Sequence, residues 1–188
     1  MVKRLRTPAF KAPTPLPAKP IASDPTPLIQ KFYERVWREQ FHDMPFINPA
    51  LSVEAIGFRQ VQGDWVGAVV TPWFLNLYLL PGGGALWEDL PSGEQRSVVF
   101  PVGSLDFIAD NNPNPEAPIT AYQYCPLMHP VQNLPDQATA RQAALDALAA
   151  LMQPPPAPEP APESAEAKAK EPSPSRRAFL RGRTKPSA

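Results

Sequence analysis

The sequence predicts an α+β domain, with a largely antiparallel sheet of about five strands flanked by an N-terminal and a C-terminal helix. Three observations carry this reading. Proline is crowded at the ends, with 7 of 28 in residues 1–27, 12 in 28–152 and 9 in 153–188. Those ends offer too little apolar side chain to offset chain entropy, so they read as disordered Pro-rich tails. Helix-period apolar stripes stand at both limits of residues 28–152, and short strand-like runs broken by Gly and Pro lie between them. The chain thus divides into a basic arm, 1–27, a folded domain, 28–152, and a linker with a tail, 153–188.

Thr26-Pro27 opens the first helix, since proline is tolerated in a first turn. Leu28, Ile29, Phe32, Val36 and Trp37 give it one apolar stripe, which ends at His42-Asp43-Met44-Pro45. Val53–Val61 follows as a strand, turns at Gln62-Gly63-Asp64, and Trp65–Thr71 returns beside it. Pro72 interrupts the most apolar run of the chain. Lacking an N–H, it marks a kink, an edge or an end of a strand, with Trp73 and Phe74 beside it. Phe74–Leu80 is a third strand and stops at Pro81-Gly82-Gly83-Gly84. No Gly-Lys-Ser/Thr and no helix follow that glycine run, so it reads as a mobile turn rather than a phosphate loop. Arg96–Val102 and Leu105–Ala109 form a hairpin around Gly103-Ser104, and Ile119–Tyr124 is a short strand or extended segment. Asp136 caps a last helix, Gln137–Met152, whose apolar face is Ala140, Ala144, Leu145, Leu148, Leu151 and Met152.

Net charge is zero only as a sum. Residues 1–27 carry 5 basic and 1 acidic side chain, residues 28–152 carry 6 and 13, and residues 153–188 carry 7 and 4. An acidic body between basic arms argues against a nucleic-acid-binding core and favours a basic partner. The one cysteine, Cys125, excludes an internal disulfide framework and fits a reducing compartment. The basic N-terminus runs into proline rather than into a signal peptide's apolar segment, and Val66–Leu80 is too short to span a bilayer, so a cytoplasmic protein is expected.

Cys125 and His129 stand four apart, but Pro126 and Pro130 break any helix that would bring them together, so no metal or cofactor is expected. Neither histidine sits in a catalytic signature, and no catalytic residue is assigned: the expectation is a binding protein, not an enzyme. Near the C-terminus, Ser175-Arg176-Arg177-Ala178-Phe179-Leu180-Arg181 matches the twin-arginine export consensus S-R-R-x-F-L-K, with arginine for the final lysine. No apolar segment follows it, so it reads as a mimic of such a signal.

Several long motifs occur in the order that marks one family. They are Pro45-Phe46-Ile47-Asn48-Pro49-Ala50-Leu51, Val53–Arg59, Gly63-Asp64-Trp65-Val66-Gly67, Val70–Leu77, Leu79-Leu80-Pro81-Gly82, Phe100-Pro101, Tyr122–Leu127 and Asp136-Gln137-Ala138. Over residues 28–152 the chain resembles the HybE-type [NiFe]-hydrogenase assembly chaperones, HupJ and HoxT relatives included. It departs from their pattern at Pro126 and His129-Pro130 and in the tails. The resemblance implies a cytoplasmic accessory protein that binds a hydrogenase precursor subunit, foremost the small subunit bearing a twin-arginine signal, and holds back premature export. Some relatives are linked instead to large-subunit cofactor assembly or oxygen protection, where Cys125 would act as a thiol helper. A scaffold bridging maturation factors is a third reading.

The resemblance assigns no binding residues; physical reasoning does. A twin-arginine signal is a cationic head followed by an apolar segment, so its receptor needs carboxylates beside an apolar groove. Pro72, Trp73, Phe74 and Trp87 are the expected apolar wall, and Glu54, Glu88 and Asp89 the expected arginine partners. The tail residues Ser175, Arg176, Arg177, Phe179, Leu180 and Arg181 are expected to imitate the cargo and compete with it.

Overall fold

A computed structural model of the chain describes residues 17–114 and 116–154. Six strands form one sheet: β1 Glu54–Val61, β2 Asp64–Val70, β3 Leu75–Leu80, β4 Gln95–Phe100, β5 Gly103–Asn111 and β6 Ala121–Met128. Their order is β1-β2-β3-β6-β5-β4, and every neighbouring pair is antiparallel. The expected class holds, with one strand more than the pattern suggested. Of Ile119–Tyr124, expected as a short strand or extended segment, Ala121–Tyr124 opens β6, which lies between β3 and β5.

Helix α1, Thr26–Val36, covers one face of the sheet, and α2, Gln137–Leu151, covers the other. Period-2 alternation sorts the side chains. Val66, Ala68, Val70, Leu75, Leu77 and Leu79 pack against Ala140, Ala144, Leu148 and Leu151 of α2. Val69, Tyr78 and Leu80 face Ile29 and Tyr33 of α1. Strands buried on both faces read as continuous apolar runs, which is why β2 and β3 look alike in sequence. The Asp136 side chain accepts the Thr139 N–H at 2.7 Å and starts α2 as expected. α1 does not end at Val36: it continues into one π-helical turn, Trp37–Phe41, closed by His42 N–H on the Trp37 carbonyl at 3.0 Å.

Of the three possibilities for Pro72 the strand end holds: it follows β2 and is neither a kink nor a sheet edge. Thr71–Phe74 is the turn joining β2 to β3, both of them paired on each side, and the Thr71 hydroxyl accepts the N–H groups of Trp73 and Phe74 at 3.2 and 2.9 Å. The missing N–H therefore costs the ladder nothing, and the Pro72 carbonyl accepts Asn48 N–H at 2.7 Å.

The glycine run is not a mobile turn. Asp64, fully buried, accepts N–H bonds from Gly82, Gly84, Leu86 and Trp87 at 2.8, 3.0, 2.8 and 2.8 Å. A Cβ at Gly82 or Gly84 would run into the carbonyl oxygens of Gly63 and Gln62, so glycine here serves close backbone approach. Residues 18–25, placed with the arm on composition, are also tied down. Ala18 N–H reaches Asp89 at 2.9 Å, Ile21 N–H reaches the Pro81 carbonyl at 2.8 Å, and Trp65 Nε1–H reaches the Ile21 carbonyl at 2.8 Å. Among the described residues no helix is long and apolar enough to cross a membrane.

Candidate functional site

α1 and its π turn lie along one face of the sheet, and the Phe32 ring of α1 reaches Tyr122 of β6 at 6.1 Å. In the angle between helix and sheet runs a groove of about 620 Å³. Its helix wall is Phe32, Val36 and Phe41; its end wall is Trp73 and Phe74; its floor is Asn76, Tyr78, Tyr122 and Tyr124. The floor follows from register. Asn76 stands opposite Pro126, Tyr78 opposite Tyr124, and Tyr122 opposite Asp110, so alternate residues of β3 and β6 project to the same side.

The π turn shapes the end wall. It brings Trp37 and Phe41, four residues apart, onto the indole of Trp73. The Phe41 ring stacks at 4.7 Å and 4°, and the Trp37 ring at 5.8 Å and 13°. Trp73 is thereby 6% exposed. It is a seat for the helix end, while the half-buried Phe74 presents its ring to the groove. The Tyr33 and Tyr78 hydroxyls share a short hydrogen bond between helix and floor, and Tyr122 donates to Asp110 at 2.6 Å. Burial first, and the nearby phenols next, push the hydroxyls of Tyr33, Tyr78 and Tyr122 far above the ordinary phenol value. They stay neutral, so the charges lining the groove are the carboxylates of Glu39 and Asp110 against the guanidinium of Arg35.

The residues expected from the sequence are only partly brought together. Trp73 and Phe74 are at the groove; Pro72 is buried behind them. Trp87 is at the other end of β3 and packs into the core on the α2 side. Glu88 pairs with Arg96 at 2.8 Å, and Asp89 accepts the Trp87 indole N–H at 2.9 Å. Glu54 is held by Arg141 at 2.7 Å and by Gln137 at 2.6 Å. Those three carboxylates thus have partners within the chain, on elements away from the groove. Ser175, Arg176, Arg177, Phe179, Leu180 and Arg181 lie outside the described residues. Sequence reasoning missed Phe32, Phe41, Asn76, Tyr78, Asp110, Tyr122 and Tyr124. The one signal for them was the pattern Tyr122-x-Tyr124, two aromatics on one face of a strand.

Cys125 is half-buried, and burial first, then the Asp106 carboxylate, push its thiol up, the wrong direction for a nucleophile. Among the described residues no group of three or more His, Cys, Asp or Glu is placed to hold a metal.

Residues 24–182 match the family described as "[NiFe]-hydrogenase assembly, chaperone, HybE". HoxT of Cupriavidus necator is 37% identical over 155 residues, covering 76% of this chain and 80% of that protein. A Rhodobacter capsulatus HupJ, named as a rubredoxin, is 38% identical over 97 residues, 52% of this chain. The chain spans only 34% of that relative, and its 1 cysteine is too few for a four-thiolate iron site. The solution structure of HybE from Escherichia coli has the same fold, with a TM-score of 0.56 at 24% identity, over 89% of this chain and 94% of that one. The family match covers most of the chain, and its description is of an assembly chaperone rather than an enzyme. The chain is a member of the HybE family of [NiFe]-hydrogenase assembly chaperones.

Proposed function

We propose that the chain holds a [NiFe]-hydrogenase precursor subunit through the groove, and that the segment bound is the twin-arginine signal of the small subunit, kept from export until assembly is complete. The work is done on the cytoplasmic side by binding alone. The observation that carries this is the groove itself, an aromatic trough open to solvent whose lining holds two carboxylates and one guanidinium. Aromatic faces and carboxylates together suit a segment that is part cationic and part apolar.

Co-purification tests the reading. The tagged full chain should capture the small-subunit precursor, lose it when the signal is removed, and hold it more weakly as Phe74→Ala. Capture of the signal-less subunit to the same extent would overturn the proposal. The thiol-helper alternative separates cleanly, since Cys125→Ser should leave capture unchanged.

A further inference from the structure

The charges of the folded body are unevenly spread. Residues 28–152 carry 13 acidic and 6 basic side chains, so carboxylates for pairing are in excess. Three of the cations are nevertheless the ones held within the chain. Arg59 donates to the Leu148 carbonyl at 3.1 Å, Arg96 pairs with Glu88 at 2.8 Å, and Arg141 pairs with Glu54 at 2.7 Å. The other three, Lys31, Arg35 and Arg38, are exposed and form no salt bridge among the described residues. They follow one another along α1 and its π turn at spacings of four and three residues. Such spacing sets them on one face, over about 10 Å of helix.

That face borders a second pocket, of about 310 Å³, which shares Phe32 and Arg35 with the groove. Its interior is apolar: the half-buried Leu28 and Phe32 meet Pro118 and the buried Ile119, which precede β6. Lys31, Arg35 and Arg38 all line it. Its one carboxylate among the described residues, Glu34, already accepts the Gln30 amide at 2.8 Å. The groove has the opposite balance, two carboxylates to one guanidinium.

We infer that this pocket is a second docking site, for an acidic segment of a partner protein that carries an apolar side chain between its carboxylates. The apolar side chain packs on Leu28, Phe32 and Ile119, and the carboxylates take the cations of the helix face. Charge selects the occupant. An arginine-bearing segment suited to the groove meets repulsion from Lys31 and Arg38, and an acidic one is repelled in the groove by Glu39 and Asp110. The apolar interior sets a protein segment apart from a phosphate backbone, which would use the cations and leave the pocket unfilled. Two unlike segments can then be held along one helix. This goes beyond the function proposed above and does not depend on it.

The test uses the full chain and a fluorescein-labelled peptide, Ser-Glu-Glu-Leu-Leu-Glu-Glu-Ser, read by anisotropy. One control peptide has glutamine for every glutamate, and another has serine for both leucines. The acidic peptide should bind, the glutamine peptide roughly tenfold or more weakly, and the serine peptide several-fold more weakly. Lys31→Gln combined with Arg38→Gln should weaken the acidic peptide roughly tenfold with an unchanged thermal midpoint, since both side chains are exposed. Neither residue lines the groove, so capture of the twin-arginine precursor should persist in that variant. Loss of capture would tie the pocket to the groove's own cargo and overturn the assignment to an acidic segment. No binding of the acidic peptide, equal affinity for either control, or full affinity in the double variant would overturn it as well. So would displacement of the peptide by oligodeoxythymidylate as readily as by unlabelled peptide, the mark of a general anion surface. The peptide exchanges leave the protein unaltered and decide the matter even where the variant folds poorly.

Discussion

Replacing Trp73 with alanine separates a seat from a contact. The side chain is 6% exposed and stacks with the rings of Phe41 and Trp37, with Phe74 edge-on at 5.5 Å. Truncating a buried tryptophan costs about 3–5 kcal/mol, and stacked neighbours push the value to the upper part of that range. Trp73→Ala should therefore lose about 4 kcal/mol, a large share of the roughly 5–15 kcal/mol that holds a domain together. Phe74→Ala, at a half-buried position, should lose about 1–2 kcal/mol. Urea unfolding followed by far-UV circular dichroism measures both, and amide exchange at residues 38–42 reports the π turn, which should open first in Trp73→Ala. A loss below about 1 kcal/mol in Trp73→Ala, or a larger loss in Phe74→Ala, would refute the packing argument. Phe74, half-buried and at the groove, is therefore a better position than Trp73 for probing binding.

Asp64→Asn should destabilise by about 3 kcal/mol in the same assay, because an amide turns its NH₂ toward two of the four N–H donors that the carboxylate satisfies. Exchange at Gly82–Trp87 should quicken with it. Glu54 provides a pH signature. Burial works to raise its carboxyl, but the bonds from Arg141 and Gln137 outweigh it and hold the group below its ordinary 4.5. A depressed carboxyl contributes stability above its unfolded value and loses it as the pH falls through the folded one. Arg141→Gln should thus lower the urea midpoint at pH 7 and converge with the parent in strong acid; a constant offset at all pH values would contradict the assignment. Exchanging Arg176 and Arg177 for glutamine should tighten signal-peptide binding several-fold if the tail competes for the groove at a roughly millimolar effective concentration. Equal affinity would take the tail out of the account.

The elements were legible where local chemistry decides them. Asp136 announces α2, the stripe from Leu28 to Val36 announces α1, and the turns at Gly63 and Gly103 set two hairpins. What the sequence hides is non-local. Nothing in Ala121–Met128 says that β6 enters between β3 and β5, yet that insertion puts Tyr122 and Tyr124 beside Tyr78 and brings Asp110 to the end of the same floor. The same limit explains the misplaced carboxylates. Glu88 and Asp89 adjoin Trp87 in the chain and Glu54 opens β1, whereas Arg96, the Ala18 N–H and Arg141 take up these carboxylates from elsewhere in the fold. The glycine run misled for a different reason: glycines serve mobility and tight approach alike, and only the buried Asp64 distinguishes the two.

The account turns on where a precursor segment sits. A twin-arginine peptide with benzophenylalanine at its phenylalanine position, photolysed on the full chain and mapped by mass spectrometry, addresses this directly. The prediction is adducts on Phe74, Tyr78 and Tyr124, suppressed by an excess of unlabelled peptide. Adducts confined to the loop around Trp87 or to α2, with the groove untouched, would contradict it.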